Sequence, residues 1–406
     1  LFHFSRRRLP TIALPTCRTT NLTTTAFDLI RSCGPSRKTL ALAAALLAAS
    51  MLAGCDSTPK SLSPEERAAA APAQHEEYAK LGYRVEWRGF PSLSGGARIE
   101  RIEVLGDVVA TQDSSAELSI LEARSGERRW SEAVANPLTK FVGLNRDGKR
   151  LIVSSESQAY FYDVDTGSLL SKQSFAENVN TRPVQVAEIL VFGATNGRVL
   201  GHLMLNGFQQ WGAITSGSVE ADPVLLGQNA TVGIVSSGGD VAVYDGVTGS
   251  LRGGARVYNG AEAPLAASDE ALFVASRDHS LYAFSADQVR QLWRVRTEAP
   301  LRHAPTYHDG RVYCDMGATG LTAFDAKTGK PVWSNKGAHG TVVAIRGGRP
   351  IVWDGSQAAT VDPGRGGIVE SVALSDVMHI RVDQFVDGNM YLVSGSGVVS
   401  KLSPRK

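Results

Sequence analysis

The chain has 406 residues, 43% of them hydrophobic, enough for a sizeable core, and a formal net charge of +2. Residues 1–54 carry seven basic residues and one acid, so residues 55–406 carry −4. A mildly acidic body lacks the electrostatic footprint of a nucleic-acid-binding protein. Four cysteines, two of them before residue 54, are too few for a disulfide framework.

Residues 1–35 are rich in Arg, Thr and Ser without periodicity, and read either as sequence upstream of the true start or as a long leader. Arg37 and Lys38 then precede an apolar stretch at 40–53, which is too short to span a bilayer and suits a signal-peptide core. Its end, Leu52-Ala53-Gly54-Cys55, resembles the lipobox of bacterial lipoproteins. Small residues let a peptidase approach the backbone and cut after Gly54, and the Cys55 thiol is the nucleophile that accepts diacylglycerol. Acylation at Cys55 would hold the chain at a membrane surface. Asp56 is similar to the signal that retains lipoproteins at the inner membrane in enteric bacteria, so the resemblance leaves inner and outer membrane both open.

Residues 56–81 read as a tether. Ser63-Pro64-Glu65-Glu66 has the pattern of a capping box with Pro at the first helical position. Pro72 breaks or kinks that helix, and Gly82 caps a second piece ending at Leu81. The expectation is a partly helical spacer.

From residue 83 a unit of about 40 residues recurs. Its cleanest copy, at 305–333, reads as four short strands with tight turns at Asp309-Gly310 and Thr328-Gly329. Third-strand turns are marked by Gly126, Gly167, Gly207, Gly249, Gly329 and Gly367, with Gln288 in the equivalent place. First strands are marked by Pro183, Pro223, Pro264 and Pro305, and fourth strands by Trp130, Trp211, Trp293 and Trp333. Hairpin turns at Asp107, Asp147, Glu188, Gln228, Asp269, Asp309, Gly347 and Asp387 count eight units. Val241 to Asp245 and Leu281 to Phe284 show no helical recurrence of apolar residues, which excludes helical repeats of similar period.

Four strands per 40 residues is the sequence form of a β-propeller blade. The eighth unit ends in its third strand, at Ser400-Lys401-Leu402. Tyr83-Arg84-Val85-Glu86-Trp87 supplies the missing fourth strand and closes the ring. The expected organisation is leader and signal peptide at 1–54, lipid-anchored tether at 55–82 and an all-β eight-bladed propeller at 83–406.

The units at 304–333 and 160–167 resemble the PQQ-type propeller repeat, whose hallmark is an aspartate–x–x–threonine–glycine turn followed by a tryptophan that docks between blades. The resemblance implies docking for Trp87, Trp130, Trp211, Trp293 and Trp333. Blades ending near Leu170, Gly253 and Val372 lack the tryptophan, so docking there is weaker or aliphatic. Eight such blades behind a lipobox resemble the BamB family of outer-membrane-protein assembly lipoproteins. That resemblance implies a periplasmic, non-catalytic scaffold binding a β-barrel assembly partner, and no binding residue is carried over.

The rival reading is a quinoprotein dehydrogenase holding PQQ and Ca²⁺ on the axis, but no adjacent cysteine pair exists. His303 and His308, five apart across a strand, point to opposite faces, and His202, His279, His339 and His379 are scattered in what read as polar loops, so no metal site is expected. Thr328-Gly329-Lys330 is no phosphate loop, because Phe324 and Pro331 stand where Gly and Ser/Thr are required. Asp163, Asp245, Asp325 and Asp362 recur with the repeat and read as turn acceptors rather than catalytic acids. No catalytic, cofactor-binding or metal-binding residue is expected, and Cys314 reads as packed and inert.

Overall fold

Strands of five or six residues, apolar at nearly every position, must bury both faces, and stacked sheets satisfy that requirement. A computed structural model of the chain describes residues 61–405 except Pro72, Gln228 and Asn229. The leader, Gly54, Cys55, Asp56 and the Gln228 hairpin marker lie outside the described residues. The strands form eight four-stranded antiparallel sheets. Seven are built from consecutive strands, at 99–133 (blade 1), 141–174 (blade 2), 184–214 (blade 3), 224–256 (blade 4), 266–296 (blade 5), 306–335 (blade 6) and 341–373 (blade 7). Blade 8 takes three strands from 377–404 and its outermost strand from Tyr83–Gly89.

This is an eight-bladed β-propeller. First strands touch at the seams of blades 1 and 2, 4 and 5, 5 and 6, 7 and 8, and 8 and 1. The turn glycines and Trp positions recur because each blade repeats one packing problem. Second strands such as Val108–Asp113 and Ala271–Ser276 are buried throughout, whereas the fourth strand Leu169–Ser174 is mostly exposed. The core is therefore a series of layers between blades. Val108, Ile120, Leu151 and Tyr160, for example, join blades 1 and 2 in one cluster.

The closing strand pairs Tyr83 with Pro404 and Gly89 with Val399. Tyr83 is fully buried, and its hydroxyl donates to the Gly388 carbonyl at 3.3 Å. On the inner side of the same seam His379 Nε2 meets the Ile99 carbonyl at 3.1 Å.

Two helices precede the ring, α1 (Pro64–Ala70) and α2 (His75–Lys80). The capping box of α1 is complete. Ser63 Oγ accepts from Glu66 N at 3.2 Å, and Glu66 Oε2 accepts from Ser63 N at 2.7 Å. The described part of the segment packs on the ring. Tyr78 and Leu81 are buried with Val372, Leu374 and Met390 of blades 7 and 8, and Arg67 is buried against Gly397. Apolar side chains on so short a segment find their burial only on the ring. No described helix is long and apolar enough to cross a membrane.

Candidate interaction faces of the propeller

Turns between third and fourth strands occupy one face of the ring, and loops between blades occupy the other. On the turn face the aspartates close on their own backbone. Asp163 Oδ1 accepts from the amides of Asp165 and Thr166 and from the Thr166 hydroxyl, at 2.8–3.0 Å. Asp245 and Asp325 make the same bonds to Thr248 and Thr328. The Thr248 amide and Arg252 hold the Asp245 carboxyl down to about 2. Such a group is a fixed acceptor with no proton to give near neutrality.

Each of five tryptophans reaches the turn of the following blade. Indole Nε1 of Trp87, Trp130, Trp211, Trp293 and Trp333 donates to the carbonyls of Ala123, Val164, Gly246, Ala326 and Pro363 at 2.9–3.1 Å. The ring lies on the turn glycine, which needs both a positive φ and no Cβ. At Gly329 φ is +68°, and a Cβ would stand 2.6 Å from Trp293. In blade 7 the glycine under Trp333 is Gly366, at φ +73°, and not Gly367, which is open to solvent on that side.

Blade 2, where weaker or aliphatic docking is expected, makes a polar contact. Gln173 Nε2 donates to the Met204 carbonyl at 2.7 Å, and its Oε1 pairs with His202 Nε2 at 2.8 Å. Burial pushes the His202 imidazole down to about 4. His202 thus sits in a strand and not in a polar loop, as does His379. In blade 4 Gly253 lets the Gln288 backbone approach directly, and in blade 7 Val372 packs on α2.

On the loop face the residue after the fourth strand donates to the turn between second and third strands in six blades, as Val134 N does to the Ala116 carbonyl at 3.0 Å and Thr297 N to the His279 carbonyl at 2.8 Å. At the axis, Glu103 of blade 1 receives Arg182 at 2.9 Å and Arg381 of blade 8 at 3.6 Å. Asp222 Oδ1 accepts from Arg182 N at 2.9 Å, and Arg101 donates to the Phe141 carbonyl. Burial raises the Asp222 carboxyl and lowers the Arg101 guanidinium, as it must for charges withdrawn from water. Three arginines against two acids leave this cluster positive. Arg182 and Asp222 directly precede Pro183 and Pro223, and that shared place in successive repeats was the sequence signal that could have found them.

A second feature of this face is a cleft of about 760 Å³ bordered by Tyr258, Arg277, Asp278, Arg294 and Arg296. Tyr258 is 90% exposed. Asp278 is buried and accepts from Arg294 at 3.2 Å and from the Tyr282 hydroxyl, and the Arg294 guanidinium lies over the Tyr282 ring at 4.9 Å. A buried carboxylate thus fixes an arginine beside an exposed aromatic ring. Leu138 on the loop between blades 1 and 2 is 92% exposed. On the turn face the large exposed residues gather in blade 3, where Leu205 and Phe208 are 77% and 71% exposed.

The histidines divide. His303 and His339 flank buried Asp315 at 3.7 and 3.3 Å, and His308 lies against Phe385. No group of three or more His, Cys, Asp or Glu able to hold a metal ion occurs among the described residues. Asp315 is occupied by the Gly317 and Gly340 amides, so it serves as a loop anchor. Cys314 is a buried free thiol that burial pushes up, which removes its nucleophilicity.

A family model described as outer membrane protein assembly factor BamB matches residues 114–263 and 237–376. No curated protein matches the chain. Among solved structures, the crystal structure of BamB from Moraxella catarrhalis superposes with a TM-score of 0.61 at 18% identity, covering 76% of this chain and 98% of that one. The crystal structure of the computationally designed Ika8 protein superposes with a TM-score of 0.65 at 14% identity, covering 79% and 99%. At these identities both describe the fold.

Proposed function

The chain belongs to the family of the outer membrane protein assembly factor BamB, and from that premise we propose that it is a non-catalytic periplasmic scaffold. It is held at the membrane through acylated Cys55 and binds a protein of outer-membrane protein assembly with its loop face. The tryptophans Trp87, Trp130, Trp211, Trp293 and Trp333 serve structure by docking each blade on the next. The observation that carries the reading is the Tyr258 cleft, which sets an exposed aromatic ring among arginines, one of them, Arg294, fixed by buried Asp278. Tyr and Arg in such settings dominate protein–protein binding energy. The turn face is occupied by its own repeating contacts and has less freedom to vary.

The test is capture of partners from membranes, with mass spectrometry of what is retained. Tyr258→Ala combined with Arg296→Ala should abolish capture of an assembly component, with melting unchanged. Loss of capture on Leu205→Ser with Phe208→Ser instead would move the interface to the turn face and refute this assignment. Cys55→Ser should leave an unprocessed precursor that takes up no labelled fatty acid. Against the quinoprotein reading, PQQ with Ca²⁺ should give no thermal stabilisation, whereas a ligand ~100-fold above its dissociation constant would add about 2.7 kcal/mol.

A further inference from the structure

The N-terminal segment and the outer edge of the seam between blades 8 and 1 border an open cavity of about 880 Å³. Arg67 of α1, Arg88 of the closing strand and Arg128 of blade 1 line it, with Phe90 and Ser92. Arg67 is only 5% exposed. One of its Nη atoms donates a long bond, 3.4 Å, to the Gly397 carbonyl, its guanidinium faces the Phe90 ring at 5.6 Å, and its Nε has no acceptor among the described residues. Arg88 donates to the Ala68 and Ala71 carbonyls, and its Nε is likewise buried without an acceptor. Arg128 is exposed, and its side chain makes no hydrogen bond among the described residues.

None of the three forms an ion pair among the described residues. Of the two wall carboxylates, Glu66 is engaged by the Ser63 amide at 2.7 Å and Glu127 by the Ser125 hydroxyl at 3.3 Å. Burial, and then the neighbouring Arg128 charge, both lower the Arg67 guanidinium. With Glu66 and Glu127 on the same wall, three guanidinium groups face two carboxylates, and planar guanidinium groups match the oxygens of a phosphate. Ser61 borders the cavity, six residues after Cys55, and six residues reach about 20 Å at most. An acylated Cys55 would therefore lie no more than about 20 Å of chain from the cavity wall.

We propose that this cavity binds the phosphate of an anionic phospholipid headgroup and so fixes which edge of the propeller lies on the membrane. The lipid source rests on the reading of Cys55 as acylated, but binding by the cavity does not need the acyl chain.

The test uses the chain from residue 55 onward, which contains the whole described fold, with Cys55→Ala so that acyl insertion cannot mask the site. Flotation compares vesicles of phosphatidylcholine alone with vesicles containing one-third phosphatidylglycerol, and inorganic phosphate is the competitor. Binding should require phosphatidylglycerol and weaken roughly fivefold for each of Arg88→Gln and Arg128→Gln, with melting unchanged for Arg128→Gln. Arg349→Glu, on blade 7, should bind as the parent does. Equal binding to both vesicles, or an equal loss on Arg349→Glu, would overturn the proposal. Stabilisation by inorganic phosphate without vesicle binding would overturn the lipid source. Absence of fatty-acid label on Cys55 would defeat the anchor reading while leaving the vesicle result to stand or fall by itself.

Discussion

The two faces of this propeller come from the same repeats and treat them in opposite ways. On the turn face one contact is made five times, an indole donating across the blade seam while its ring covers a glycine. On the loop face local groupings of side chains are added to the repeating backbone bonds: an axial charge cluster joins Glu103, Arg182 and Arg381, and an aromatic cleft forms at Tyr258. Repetition answers a packing problem every blade shares, and difference is free to appear where packing is already satisfied. Stability and recognition should therefore separate by face.

The largest effect is expected where both faces depend on closure. Deleting residues 83–89 removes the outer strand of blade 8 and its buried Tyr83, and should abolish the cooperative melting transition seen by calorimetry. Deleting 61–81 strips Tyr78 and Leu81 from the ring and should cost about 3–6 kcal/mol, which denaturant titration would read. A melting curve unchanged by the second deletion would restore the segment to a mere spacer.

Within the turn face, Trp293→Ala should cost about 3–5 kcal/mol, through the lost ring and the orphaned Ala326 carbonyl. Gly329→Ala meets Trp293 and a positive φ, and should cost about 2–4 kcal/mol. Neither should change partner capture per folded molecule. If Gly329→Ala melts as the parent does, the stacked seam is not a constraint.

The polar seam of blade 2 sharpens the contrast through pH. His202 titrates near 4 when folded against 6.5 when free, so the unfolded chain binds the extra proton between these values. Its contribution is complete above pH 6.5 and lost as pH falls toward 4, up to about 3 kcal/mol. His202→Gln should flatten that slope in urea titrations from pH 7 to 4. The smallest effect on stability belongs to the loop face: Tyr258→Ala should stay within about 0.5 kcal/mol of the parent.

The repeat was legible because each marker answers a local demand. Gly329 is required by its φ, Asp325 by the turn amides, Trp333 by the seam, and the strand missing from blade 8 pointed to Tyr83–Trp87 as its fourth. Gly366 was misplaced by one residue, since two adjacent glycines look alike until a ring covers one of them. Gln173 was not legible as a substitute for tryptophan. Its reach to Met204 depends on a partner 31 residues away, and no local rule favours an amide there.

The sequence by itself determined the fold class, the number of blades and the closing strand, because periodic turns and alternating strands act within about 40 residues and repeat. Only the tertiary structure decided which side chains from distant repeats share a site. Glu103 meets Arg182 and Arg381, Asp278 holds Arg294 beside Tyr258, and Arg67 reaches a wall 330 residues later in the chain. Those meetings depend on ring closure and on non-local burial, which set distances that spacing along the chain does not encode.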